Sequence, residues 1–164
     1  MAKGDIRVVD TGGRVTAPTR EYQTAAGSTA INAGEPVMLT TIGTSQYVAA
    51  LTDAKPVIGT DYFVGIAADA ATHTASADGV VHVYVALPGV TFRGKAKTAA
   101  NADTQSEVNA LVNKRTIFDL TTGTYTVDTA AADGATNGLI IVGGDPNGSF
   151  IDFQASARAT PFGF

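Results

Sequence analysis

The feature that most constrains this chain is a series of short apolar runs, each ended by turn-forming residues. The clearest run is 80–87, VVHVYVAL. Its valines and leucine alternate with His82, Tyr84 and Ala86, which gives one apolar face and a period of two. The turn pair Pro88-Gly89 follows. The run therefore predicts a β-strand, and we expect the next run, 90–96, to pair back on it as a hairpin.

Further runs rich in β-forming residues occur along the whole chain, at 6–9, 36–41, 47–51, 62–68, 116–120, 124–127, 139–142 and 149–153. Turn signals such as Asn137-Gly138 and Asp145-Pro146-Asn147-Gly148 separate them. Short strands at this spacing are typical of an all-β sandwich or barrel. A length of 164 residues suits one domain with a sizeable core. We predict an all-β fold, a compact β-sandwich or barrel.

One short helix is predicted at about residues 104–113. Thr104 can cap its first turn, and Glu107 three residues later completes the pattern of a capping box. Val108, Leu111 and Val112 follow at helical spacing and would form the buried stripe. We expect this helix to lie across an opening of the β unit.

The two ends of the chain differ from its middle. Between residues 10 and 34 the large apolar side chains are Val15, Tyr22 and Ile31, which are too few to build a core. The segment is also too long for an ordinary connection. We therefore divide the chain into three parts: an extended N-terminal arm that lies on a neighbour (1–34), a β-rich domain (35–154) and a short C-terminal tail (155–164). Phe162 and Phe164 in the tail are either frayed or anchored in a partner's pocket.

The charge and composition exclude several functions. The net charge is −4 and the pI about 4.9, without a cluster of basic residues, so we predict no nucleic-acid binding. No apolar run approaches the roughly 18 residues of a membrane span, and the first residues lack the apolar core of a signal peptide, so we predict no membrane partner. The absence of cysteine excludes thiol catalysis and disulfides.

Four motifs resemble catalytic or ligand-binding patterns, and each is incomplete. Asp10-Thr11-Gly12 matches an aspartic-protease triplet, but that chemistry needs two carboxylates. Residues 89–96 match the phosphate-loop motif except at its last position, where the motif needs the hydroxyl of Ser or Thr and this chain has Ala96. Asp145-x-Asn147-Gly148 lacks the remaining ligands of a calcium loop. His73 and His82 have no spacing that suggests zinc. We predict a protein that is not an enzyme and binds no cofactor or metal.

Three segments in the middle of the chain form a more specific pattern. Ala33-Gly34-Glu35-Pro36-Val37 leads into a strand, Phe63-Val64-Gly65-Ile66-Ala67 forms a second, and Pro88-Gly89-Val90 begins a third. Over residues 30–97 this order resembles the decoration, or cement, proteins of tailed-bacteriophage heads. The resemblance implies a structural protein on the outer surface of a phage head. It would bridge neighbouring major capsid subunits and stabilise the capsid, and it would itself be a homotrimer.

Extended arms and a few charges would make the contacts that this function requires. The candidate contact residues are Arg7, Arg14, Arg20, Tyr22, Phe162 and Phe164, with the arginines expected to pair with acidic groups of the shell. An alternative is a β-rich binding module of a phage tail or fibre, in which exposed Tyr22, Tyr47, Tyr62 and Tyr125 would serve as sugar platforms. In both cases the large Ala, Gly and Thr content lies in turns and arms around short strands.

Overall fold

The computed structural model describes residues 6–162, which form an all-β fold with a single α-helix. The strands are β1 (Arg7–Thr11), β2 (Thr19–Thr24), β3 (Pro36–Ile42), β4 (Ser45–Ala50), β5 (Phe63–Ala67), β6 (Gly79–Val85), β7 (Val90–Lys95), β8 (Arg115–Thr116), β9 (Phe118–Thr121), β10 (Thr124–Val127), β11 (Leu139–Asp145) and β12 (Phe150–Ala155). The helix α1 is Gln105–Leu111, and short 3-10 turns occupy Ala99–Asn101, Pro146–Gly148 and Ala157–Ala159. The predicted fold class is confirmed.

Two five-stranded sheets and one hairpin make up the architecture. Sheet I has the order β1-β7-β12-β11-β8, and sheet II has the order β2-β6-β5-β3-β4. Strands β9 and β10 form a separate hairpin. Sheet II curls until its edge strands β2 and β4 contact each other. The Tyr47 hydroxyl on β4 donates to Asp78, 3.1 Å away, and Asp78 also accepts from the backbone of Ala26, just after β2.

Strand β5 is the wall shared by two cores. All five of its residues are buried. Phe63 and Ile66 face a large core between the sheets, whereas Val64 and Ala67 face a smaller core inside the curl of sheet II. The residues of β5 do not alternate strictly between the two cores, because the pairing of β5 with β3 shifts register in this region. The pattern FVGIA has no polar face because neither side of the strand meets water.

The larger core is built around interlocking phenylalanines. The rings of Phe118 and Phe153 meet edge to face with their centroids 5.2 Å apart, and Phe63 and Phe92 pack edge to face at 6.1 Å. Such geometries are favoured by the quadrupole of the ring. Helix α1 contacts β11 and contributes Val108 and Leu111 to this core. The predicted helix is confirmed, and so is its capping box at Thr104 and Glu107.

The expected hairpin of residues 80–87 and 90–96 is wrong. Strand β6 lies in sheet II and β7 in sheet I, so Pro88-Gly89 carries the chain from one sheet to the other. The physical reason is that β6 is already paired on both edges, with β2 and β5. The predicted apolar face of β6 is confirmed, since Val81, Val83 and Val85 are fully buried.

The structure also corrects the boundaries of the arm and the tail. Within the predicted arm 1–34, β1 pairs with β7 and β2 pairs with β6 of the same chain. Edge strands need only one apolar face, and this explains how so polar a segment joins the domain. The tail 155–164 begins inside β12, and Ala159 and Thr160 are buried. Phe164 lies outside the described residues.

Candidate functional site

Strand β1 forms an open edge of sheet I that is exposed for contact. Strand β1 pairs with β7 on one side, and among the described residues no strand covers its other side. A bulge between Val8 and Asp10 leaves Val9 without a pairing partner, and its side chain is 41% exposed. Unpaired backbone groups on an edge strand are a template for adding a strand from another chain.

A groove of about 400 Å³ lies beside this edge. One wall comes from the β1 segment and the other from the sheet II side of the molecule. The lining residues are Ile6, Arg7, Val8, Val9, Thr11, Ala17, Gly34, Ala67, Ala68 and Tyr84. Within residues 6–162, Arg7 is the one charged side chain that lines the groove, and its charge favours an anionic group there. We call this the β1 groove.

Arg7 and a second cation, Lys95, lie around one aromatic ring, that of Phe150. The Arg7 guanidinium carbon lies 5.6 Å from the centre of the Phe150 ring, and Lys95 Nζ lies 5.9 Å from the same centre. Cations within about 6 Å of a ring face are held by its quadrupole. Both positive groups are therefore positioned on the outside of sheet I.

The connection from β1 to β2 carries Arg14 and the most exposed apolar side chain, Val15, whose side chain makes no packing contact in the chain's own cores. Arg14 Nη1 donates to the carbonyl oxygens of Thr11 at 3.0 Å and Pro88 at 3.5 Å. Thr11 and Arg14 are joined a second time by the Thr11 hydroxyl, 2.5 Å from the Arg14 carbonyl oxygen. Arg14 thus shapes the turn that presents Val15 to solvent.

Arg20, Tyr22 and Phe162 form a second cluster, on the β2 edge of sheet II. Arg20 lies over the Phe162 ring at 5.7 Å, and both aromatic side chains pack against the smaller core. Burial raises the pKa of Tyr22, and the neighbouring Arg20 offsets part of this effect. Phe162 packs against the smaller core of its own chain and so is not frayed in this structure, and its role as an anchor in a partner's pocket stays a prediction.

Two ion-pair networks hold the frame together. On sheet I, Arg93 forms a bidentate pair with Asp152, at 2.6 and 2.8 Å, and lies 3.6 Å from Asp145. The hydrogen bonds that Arg93 donates to Asp152 raise the pKa of Arg93. Asp145 of the calcium-like motif and Asp152 are thus both paired with the Arg93 cation. Asp145 also accepts from the backbone of Asn147 in the turn.

The second network joins β7 to the β9–β10 hairpin. Lys97 Nζ lies 2.6 Å from Asp119 and 3.2 Å from Asp128. Burial alone would raise the pKa of Asp119, but hydrogen bonds from Lys97 and Thr121 outweigh it, so this pKa is lowered. The hydrogen bond that Lys97 donates to Asp119 raises the pKa of Lys97.

His82 lies between two carboxylates on the outer face of sheet II. Its Nδ1 is 2.6 Å from Asp69, and its Nε2 is 3.7 Å from Glu21. Burial opposes ionisation of Asp69, yet the hydrogen bonds from His82 lower its pKa. The side chain of His82 is 47% exposed, as expected for a strand residue with one solvent face.

The remaining motifs have structural roles. Asp10 accepts a hydrogen bond from the backbone of Gly12 at 2.8 Å and so closes the turn after β1. Residues 89–96 enter β7 rather than a phosphate-binding loop. Within residues 6–162 no group of three or more His, Asp or Glu side chains is placed to hold a metal ion, and no helix has the length and apolarity to cross a membrane.

Sequence reasoning identified Arg7, Arg14 and Arg20 from a sparse charge map, and the structure places them at three separate points along the first two strands and their connection. It missed Phe150, Lys95 and Tyr84, which lie far from them in sequence. The bulge at Val9 carried no signal, since either valine of the pair could face outward. Comparison with known proteins adds no further assignment: no protein-family model, curated protein or solved structure matches the chain.

Proposed function

We propose that the chain is a decoration protein on the outer surface of a tailed-phage head, where it bridges major capsid subunits and stabilises the shell. A protein of this kind needs a rigid body, an exposed contact edge and weak contacts repeated over many copies. Binding to the assembled shell in preference to free subunits stabilises the shell by linkage.

The observation that carries this proposal is the position of the three segments that resemble decoration proteins. Ala33–Val37 leads into β3, Phe63–Ala67 is β5 and Pro88–Val90 begins β7. They meet around the wall shared by the two cores, where Val37, Phe63 and Val90 are fully buried. The resemblance therefore falls on the structural centre of the fold rather than on scattered loops, where short matches arise by chance.

The β1 groove is the surface that suits contact with the shell. It combines a free strand edge, the exposed Val9 and the cation Arg7. A capsid subunit could add an extended acidic segment there by backbone pairing, with side-chain specificity from Arg7. Because the chain as a whole is acidic, with a net charge of −4, such a local cation also orients the protein on an acidic partner.

The test is binding of the purified protein to heads from which it has been removed, with occupancy counted by cryo-electron microscopy. Val9→Asp places a charge at the free edge and is expected to weaken binding about tenfold or more. Val142→Asp is the matched control, because Val142 is similarly exposed, at 38%, on β11. Equal occupancy for the two variants would remove the β1 groove from the proposal, and failure of the wild-type protein to coat heads would remove the function.

The test uses point variants because deletion of residues 1–25 would remove β1 and β2 from their sheets, and a loss of binding would then report a loss of the fold.

The expected homotrimer is tested by a separate measurement. Light scattering of the purified protein is expected to give three times the chain mass of 16.7 kDa. A monomer at working concentration would mean that trimers form only on the shell or not at all, and the occupancy symmetry on heads would decide between these.

A further inference from the structure

A second concave surface lies on sheet II, where β3 and β4 meet the segment before β5. It encloses about 490 Å³, which falls within the range of about 300–1,000 Å³ of small-molecule sites. Its lining includes Leu39, Thr40, Thr41, Gln46, Thr60 and Tyr62. Thr41 and Gln46 are directly paired across β3 and β4, so their side chains share one face of the sheet.

Tyr62 is the aromatic wall of this pocket and is 47% exposed. Its backbone is fixed, because its carbonyl oxygen accepts from the amide of Leu39 at 2.9 Å and it directly precedes the fully buried strand β5. The ring is therefore attached to a fixed point of the backbone, so a ligand that stacks on it has to order the side chain but not the chain. Such preorganisation reduces the entropy lost on binding.

The polar groups of the pocket are uncharged and available. Among the described residues, none forms a hydrogen bond with the Tyr62 hydroxyl, the Gln46 carboxamide or the Thr60 hydroxyl. Leu39 and Pro161 add apolar surface at the sides. Among the described residues that line the pocket there is no Lys, Arg, Asp or Glu side chain, so these residues offer nothing to balance a charged ligand.

We propose that this pocket binds a neutral saccharide. A sugar ring presents a C–H face that stacks on an aromatic ring, and its hydroxyl groups pair with uncharged donors and acceptors. The Tyr62 ring supplies the first surface, and Gln46 with the threonine hydroxyls supplies the second. The site does not depend on the decoration function, because none of its described lining residues belongs to the β1 groove.

The experiment is an NMR titration of the isotope-labelled full chain with neutral mono- and oligosaccharides, with a sialylated and a sulfated oligosaccharide as charged comparators. Saturable shifts at the amides of Thr41, Gln46 and Tyr62, with millimolar affinity for a neutral sugar, are expected. Tyr62→Ala is expected to weaken that affinity about tenfold, and Tyr62→Phe, which keeps the ring, by less.

Val15→Ala is the matched control, since Val15 is an exposed apolar residue outside the pocket, and its affinity should equal that of the wild type. Gln46→Ala tests the polar half of the site and is expected to weaken binding several-fold. The inference is overturned if no neutral sugar gives saturable shifts at these residues, if Tyr62→Ala binds as the wild type does, or if the charged comparators bind more tightly. Head occupancy of Tyr62→Ala should be unchanged, which separates this result from the decoration proposal.

Discussion

The backbone of Gly65 passes the carbonyl group of Tyr84 so closely that a Cβ on Gly65 would lie 2.0 Å from the Tyr84 oxygen. Gly65 also has a φ of 153°, which L side chains rarely adopt. The contact lies in the middle of the β5–β6 pairing, where both strands contribute to the wall between the two cores. This position therefore admits glycine alone.

Gly65→Ala is expected to lower the free energy of unfolding by about 3 kcal/mol, because the added methyl group must displace backbone rather than a movable side chain. Urea denaturation followed by circular dichroism measures the loss. Gly143→Ala is the control, since a Cβ there would meet Asp152 at an ordinary 3.9 Å. A loss below about 1 kcal/mol for Gly65→Ala would show that β5 and β6 can separate without cost.

Thr104→Ala removes the N-cap of α1. The Thr104 hydroxyl accepts from the amide of Glu107, and the Glu107 carboxylate accepts from the amide of Thr104 at 3.0 Å. The expected destabilisation is about 1 kcal/mol, because the backbone amide of Glu107 loses the hydroxyl oxygen that accepts from it. Ser106 lies two residues after Thr104 in the first turn of the helix, and Ser106→Ala should change thermal stability little. If both variants melt alike, the capping box is not a stabilising feature.

Tyr125 predicts a pH dependence at the alkaline end. Burial, aided by the charge of Glu35, raises the pKa of Tyr125 from 10.0 to about 12, and its hydroxyl donates to the carbonyl oxygen of Leu51. Because the folded-state pKa exceeds the unfolded one, the stabilisation is complete below pH 10 and is lost as the pH rises toward 12.

Tyr125→Phe is therefore expected to cost about 1 kcal/mol at neutral pH and to lose less stability than the wild type between pH 10 and 12. Tyr62→Phe, at an exposed tyrosine, provides the comparison. Denaturant unfolding at a series of pH values, with the phenolate absorbance recorded in parallel, measures both effects. Parallel curves for Tyr125→Phe and the wild type would contradict the assignment.

Asp119 predicts a dependence at the acid end. Its folded-state pKa lies below the unfolded value of 3.8, because Lys97 and Thr121 bind the charged form against the cost of burial. The contribution is therefore present above pH 3.8 and is lost as the pH falls through the folded-state pKa. Asp119→Asn should flatten this part of the stability curve.

Asp133→Asn is the matched variant for that measurement, since Asp133 is exposed in a turn and asparagine tolerates its positive φ of 75°. Its acid unfolding curve is expected to follow that of the wild type. Thermal melts between neutral pH and strongly acidic pH record the difference. An Asp119→Asn curve as steep as the wild-type curve would place the acid sensitivity elsewhere.

Much of the fold follows from local pattern, and the errors have one physical origin. Alternation and turn residues predict β6, β10 and the β11–β12 turn because these signals lie within a few residues. The β2 sequence TREYQT has a single large apolar side chain, so its local pattern predicts an arm rather than a strand. An edge strand is specified by the partner that it meets, and β6 lies about 60 residues away in sequence.

The same limit applies to the candidate site. Arg7 and Arg20 could be selected because charges are sparse, at 16% of the chain. Their aromatic neighbours, Phe150 and Phe162, come from the far end of the sequence. The β1 groove and the Tyr62 pocket are made by two or more distant segments each. Surfaces of this kind are products of topology, and a single sequence does not encode topology in its local periodicity.

The pairing of β1 with β7 has a consequence for biosynthesis. All strands of sheet II lie between residues 19 and 85, so the curled sheet can close while the rest of the chain is still being translated. Strand β1 emerges before any of them, yet its partner follows residue 89, and sheet I is complete only after β12. During translation, β1 therefore stays unpaired while sheet II forms, until β7 has been made. We expect the nascent chain to need protection from aggregation during that time.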